Sequence, residues 1–123
     1  MTGEQILVVE DNEMNMKLFR DVLVATGFRA LEATTGGEAV ELAVVHAPDL
    51  VLMDIQLPDA DGVDVLRRLR TDDRTAAIPV LAVTAQAMHG DRERFLAAGF
   101  DGYVSKPVDI GELIGTVRHH CAG

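Results

Sequence analysis

Four short apolar runs in this 123-residue chain each end in a side chain suited to phosphate chemistry. Residues 6–9 run into Glu10 and Asp11, residues 50–53 into Asp54, residues 79–83 into Thr84, and residues 103–105 into Lys106 and Pro107. If the runs are neighbouring parallel strands, their ends share one sheet edge. Three carboxylates, a hydroxyl and an ammonium then meet in one pocket. Carboxylates gathered this closely repel one another, and a hard divalent cation resolves the repulsion. Mg²⁺ takes oxygen ligands and keeps several waters, with Mn²⁺ as the alternative ion. Asp11 and Asp54 can supply oxygens, as can the backbone carbonyl of Gln56, with Glu10 binding directly or through water.

Asp54 ends the run expected at the centre of the sheet, and its carboxylate is the best candidate nucleophile. In-line phosphoryl transfer asks a protein mainly for positioning and charge neutralisation. Lys106 can neutralise phosphoryl oxygens, Thr84 can donate a hydrogen bond, and aspartyl phosphate is a recognised covalent intermediate. The loop after the first run, residues 10–15, carries acids rather than the glycines and hydroxyls of a phosphate cradle. It repels a bare phosphate unless a metal intervenes.

The elements that must position these groups alternate. The pattern predicts strands at residues 5–9, 29–33, 50–53, 80–83 and 102–105, and helices near 15–26, 37–46, 62–70 and 89–98, with a fifth beginning after Asp109. Gly27 and Gly99 are stop signals, and Pro48 closes the second helix. Runs one, three and four are continuously apolar, as in strands covered on both faces. Five strand–helix units imply a doubly wound α/β sheet of order 2-1-3-4-5, the flavodoxin-like arrangement, with its ligand crevice at the carboxyl ends of strands 1 and 3. In the first helix, Leu18, Phe19, Val22 and Leu23 share a face. Asn15, Met16 and Phe19, near the pocket, are expected to meet a partner protein, with Leu18 in the core. In the fifth helix, Ile110, Leu113, Ile114 and Val117 are expected to be buried, with His119 and His120 at a solvated end.

Composition narrows the function classes. The net charge of −9, from 20 acidic and 11 basic residues, argues against direct nucleic-acid binding, which needs a basic surface. No stretch approaches the roughly 20 apolar residues of a membrane span. The N-terminal residues carry no leader pattern, so a cytoplasmic protein is expected. The lone Cys121 has no partner for a disulfide or a metal-type spacing.

Taken together, residues 8–12 (VVEDN), 52–62 (LMDIQLPDADG), 83–85 (VTA) and 103–107 (YVSKP) resemble the signatures of receiver domains of two-component response regulators. The resemblance spans nearly the whole chain. It implies Mg²⁺-dependent transfer of a phosphoryl group to Asp54 from a histidine kinase or histidine phosphotransferase. It places the acidic pair at Glu10 and Asp11, the switch hydroxyl at Thr84, the phosphate-binding residues at Ala85 and Lys106, and the switch aromatic at Tyr103. Gln56 and Gln86 hold the places that tune phosphoryl lifetime in the family. More narrowly, residues 10–19 and 54–58 are similar to the single-domain DivK-type regulators of bacterial cell division and polarity. That likeness implies one receiver domain without an output domain, a downstream protein target, and recruitment to membrane-bound kinases without insertion. Glu10 in place of the commoner Asp and Val108 in place of Phe are departures.

Two other readings stay open on sequence grounds. An aspartyl-phosphate phosphohydrolase shares the nucleophile and metal, but such enzymes of the haloacid-dehalogenase pattern want a second acid where this chain has Gln56. An interaction module with a vestigial pocket would not need every pocket residue present.

Overall fold

In the computed structural model, which describes residues 4–85 and 91–121, five parallel strands form one sheet of order β2-β1-β3-β4-β5. The strands are β1 (Gln5–Val9), β2 (Arg29–Ala33), β3 (Leu50–Asp54), β4 (Val80–Thr84) and β5 (Gly102–Ser105). The helices are α1 (Glu13–Ala25), α2 (Gly36–His46), α3 (Gly62–Thr71), α4 (Asp91–Ala98) and α5 (Ile110–Cys121). The order and the five strand–helix units are those expected from the alternating pattern.

The continuous apolar runs are explained by two cores, one on each sheet face. Alternate β1 residues divide between them: Ile6 and Val8 join Met16, Phe19 and Leu23 of α1 and Leu113 and Val117 of α5. Leu7 and Val9 join Ala39 and Ala43 of α2, Val65, Leu66 and Leu69 of α3, and Phe95 of α4. Each large side chain buried this way contributes about 1.5–3 kcal/mol from water exclusion.

The structure corrects four expectations. Met16 and Phe19 do not face a partner: they are 5% and 1% exposed and belong to the α1–sheet core, while Leu18 is only half-buried. Positions 16, 19 and 23 recur at helical spacing on the face that meets the sheet, so the outward methionine is Met14, at 81% exposure. Ile110, expected in the core, is exposed because α5 begins there, ahead of the turn that packs. His120 is not simply solvated; its ring nitrogens lie 2.9 Å from the Thr116 carbonyl and 3.1 Å from that of Asp101.

Helix ends are set by identifiable caps. The Asn12 side chain accepts from the Asn15 N–H at 3.0 Å, so α1 starts at Glu13, two residues earlier than expected. Thr35 caps α2 in the same way, accepting from the Glu38 N–H at 3.1 Å. At the other end of α2, Ala47 adopts φ 46° and ψ 61°, and its N–H reaches the Ala43 carbonyl. A left-handed residue with a Cβ is unfavourable where glycine is not. Ala47→Gly is therefore expected to raise unfolding free energy by about 0.5–1 kcal/mol, and a urea midpoint unchanged or lowered would contradict this.

At the amino-terminal end of β4 and β5, opposite the edge carrying Asp54, Arg70 gathers several acceptors. Its guanidinium donates to the carbonyls of Ala76 at 3.1 Å, Ile78 at 2.6 Å and Gly99 at 3.3 Å, and to Asp101 Oδ2 at 3.0 Å. The same Asp101 oxygen accepts from the Val80 N–H at 2.8 Å.

Candidate functional site

Strand register brings the chemical groups together. Val9 lies beside Met53, Asp54 beside Val83, and Thr84 beside Ser105. The residues at or just past these positions are Glu10, Asp54, Thr84 and Lys106, in one row along the carboxyl edge. They line an open cleft of about 440 Å³ together with Asp11, Asn12, Asn15, Gln56, Pro58 and Ala85.

The centre of the cleft is Lys106. Its Nζ lies 3.2 Å from Asp54 Oδ2 and 3.1 Å from Glu10 Oε1. Burial opposes the ammonium charge, but the Glu10 and Asp54 carboxylates outweigh it and hold the group above its ordinary range. The Lys106 backbone N–H also donates to the Thr84 carbonyl at 2.8 Å, locking the β5 exit to β4. Asp54 is held from its other side: Oδ1 accepts from the Gln56 N–H at 2.9 Å. That bond fixes the carboxylate against the start of the following loop.

Glu10 is nearly inaccessible, at 1% exposure. Its Oε2 accepts from the Asn12 N–H at 3.2 Å. Oε1 is buried and meets the Lys106 ammonium at 3.1 Å, as an ion pair rather than a well-directed hydrogen bond. Burial first, then the neighbouring Asp54, push its carboxyl above the usual range, with Lys106 and the Asn12 N–H opposing. Ligand oxygens of Glu10, Asp11 and Asp54 all lie within 4.8 Å of one another. One ammonium faces three acids there. Three carboxylates this close, two of them buried and sharing the Lys106 ammonium, offer the hard oxygen ligands that suit a small divalent cation.

The remaining sequence-selected residues are distributed as follows. Thr84 is buried at the strand end, whereas Ala85 is exposed on the cleft rim. Asn15 lines the cleft and is half-buried, placed by the first turn of α1. Tyr103 is half-buried on β5, its ring 6.4 Å from that of Phe95; it lies outside the cleft lining, beside a depression shared with Leu96, Thr116 and His119. Gln86 lies outside the described residues. Sequence reasoning missed two contributors, one in the loop after β3 and one at the start of α3. Gly62 approaches the β3 backbone so closely that a Cβ there would sit 2.8 Å from the Asp54 carbonyl oxygen. Asp59 reaches across to α2. The only local signal was a turn-rich segment, LPDADG.

Comparison with known proteins decides the family. Residues 6–118 match the response regulator receiver domain. The chain belongs to that family. It is 47% identical over 117 residues to the polar-differentiation response regulator DivK of Brucella anthropi, covering 95% of each, and 46% identical over the same share to the DivK of Brucella ovis. Among solved structures it resembles the receiver domain of a sensor histidine kinase from Pseudomonas aeruginosa, with a TM-score of 0.90, 34% identity, and 99% of this chain and 100% of the other covered. That protein carries a magnesium ion coordinated in its active-site cleft. A Francisella response regulator receiver domain aligns with a TM-score of 0.90 at 26% identity, over 98% of each chain. Among the described residues, no helix of this receiver domain is long and apolar enough to cross a membrane.

Proposed function

We propose that this receiver domain is a single-domain phosphorelay regulator. Asp54 accepts a phosphoryl group from a phosphohistidine on a histidine kinase or histidine phosphotransferase. In that step an Asp54 carboxylate oxygen forms the new O–P bond, the P–N bond breaks, and the imidazole leaves with the bonding electron pair. Lys106, already seated between Glu10 and Asp54, follows the charge from the free carboxylate to the phosphoryl oxygens. Thr84 and the Ala85 backbone stand at the strand end to receive those oxygens. Glu10, Asp11, Asp54 and the Gln56 carbonyl are the groups that would hold Mg²⁺, or Mn²⁺ in its place; the ion supplies charge neutralisation when bound. Gln56, exposed at the cleft mouth, and Gln86 set how readily water reaches the acyl phosphate.

The observation that carries this reading is the Lys106 ammonium within 3.2 Å of both buried carboxylates in an otherwise open cleft. Occupation of Asp54 removes one partner of that ammonium, and the change passes through Thr84 and Tyr103 to the protein-binding surface. The DivK relatives are polar-differentiation regulators by name; the same role here makes the chain a cytoplasmic regulator of cell polarity or division, recruited by membrane-bound kinases and acting on a protein target.

Incubation with acetyl phosphate and Mg²⁺ is expected to place one base-labile phosphate per chain on Asp54, and none on Asp54→Asn. Equal labelling of the two proteins would defeat the assignment. Repeated release of phosphate from a simple phosphate ester would instead favour a phosphohydrolase.

A further inference from the structure

The loop between β3 and α3 carries Gln56, whose peptide holds Asp54, yet residues 55–61 have little regular structure of their own. An isolated bridge pairs Gln56 with Asp61, and the Gly62 N–H donates to the Ile55 carbonyl at 2.8 Å. The tip of the loop is held from elsewhere. Asp59 Oδ1 accepts from the Gly36 N–H at 2.7 Å, and Oδ2 from the Gly37 N–H at 3.1 Å. These are the first two amides of α2, which a helix cannot pair internally. Thr35 satisfies the next amide, that of Glu38. The start of α2 thus has two caps, one from its own chain segment and one from the loop after the phosphoacceptor strand.

The approach is built into the packing. Gly36 is buried, and a Cβ there would lie 2.6 Å from Val65 Cγ2, 3.3 Å from Ala60 Cβ and 3.4 Å from Asp59 Oδ1. Only a residue without a side chain lets α2 close onto the loop and onto α3. The carboxylate sits at the positive end of the helix dipole, and the two amides hold its pKa below the ordinary value.

We propose that Asp59 is a positioning residue for the phosphoryl-transfer site: by fastening the 55–61 loop to the first turn of α2, it fixes the Gln56 peptide against Asp54. This rests on the function proposed above. Asp59 touches neither substrate nor ion and acts through the Gln56 peptide. An asparagine can accept one amide and loses the other, so the series Asp59, Asn, Ala should be graded.

The test is Mg²⁺ titration of the full chain, followed by the amide resonances of residues 54–57, together with the initial rate of labelling by acetyl phosphate. Asp59→Ala is expected to weaken Mg²⁺ binding by about tenfold, in the range seen when groups orienting metal ligands are removed, with Asp59→Asn in between. Thr35→Ala is the control, because it removes a cap from the same helix without touching the loop. It should lower the unfolding midpoint while leaving Mg²⁺ affinity and labelling rate unchanged. Asp59→Ala within about twofold of the parent in Mg²⁺ affinity, or Thr35→Ala weakening Mg²⁺ equally, would overturn the inference. A parent protein that itself neither binds Mg²⁺ nor takes label would instead remove the underlying function.

Discussion

Replacing Gly62 with alanine is expected to cost about 3 kcal/mol of folding free energy, the upper part of the range for forcing atoms into a packed site. The added Cβ would sit 2.8 Å from the Asp54 carbonyl oxygen and 2.9 Å from Ile55 Cα. Both are backbone atoms at the end of the central strand, so no side-chain rotation can relieve the contact. Either α3 backs away from the sheet, uncovering Val65, Leu66 and Leu69, or the end of β3 shifts and carries Asp54 with it. Urea unfolding measures the first outcome, and Mg²⁺ titration the second. A variant with the parent midpoint and parent Mg²⁺ affinity would show that the approach is looser than these distances indicate.

The second large effect belongs to Lys106→Met. With the ammonium gone, Glu10 and Asp54 face each other from nearly buried positions, 1% and 7% exposed at the side chain. Removing one partner of a buried ion pair commonly costs 3–5 kcal/mol, but Glu10 can relieve part of the strain by taking a proton, so about 2 kcal/mol is expected in metal-free buffer at neutral pH. The pH dependence has a definite sign. The Glu10 carboxyl is raised above its ordinary value of 4.5 in the folded protein. Its contribution to stability is therefore fully present below that value and is lost as pH rises through the folded one. In the variant the neighbouring positive charge no longer opposes the shift, so the penalty should shrink as the solution is acidified. Mg²⁺ should act in the other direction. Removing a cation a few ångströms from the ion site is expected to tighten Mg²⁺ binding by about tenfold, a charge–charge effect on the order of 1–2 kcal/mol. Saturating Mg²⁺ should then restore much of the lost stability by mass action, while phosphoryl transfer to Asp54 falls sharply. Looser Mg²⁺ binding in Lys106→Met would show that the lysine organises the acids rather than competing for them.

The sheet was legible because its strands carry two signals at once: unbroken apolar runs, and polar residues placed where each run stops. β1, β2 and β5 fall on the expected residues, and β3 and β4 each extend by the one polar residue that closes the run, Asp54 and Thr84. The row Glu10, Asp54, Thr84 and Lys106 was legible for the same reason, since parallel register turns strand ends into neighbours. What failed was helix phase. Met14, Met16, Leu18 and Phe19 crowd the start of α1, and several faces look apolar until the Asn12 cap fixes where the first turn begins. The spacing of Met16, Phe19 and Leu23 then decides which side meets the sheet. The roles of Gly62, Gly36 and Asp59 were illegible for another reason. Each depends on a contact between segments far apart in the chain, and locally all three look like ordinary turn residues.

The cluster around Arg70 bears on how a signal could travel. One guanidinium ties together the exit of α3, the entry to β4, the end of α4 and the turn into β5. That floor of the molecule is fastened crosswise by one side chain, whereas at the opposite rim Lys106 does the bridging, between Glu10 and Asp54. If α4 responds to chemistry in the cleft, Gly99 and the turn into β5 are the tethered end of that helix. Arg70→Ala is expected to loosen that tether and to lower the urea midpoint, while touching no residue that lines the cleft.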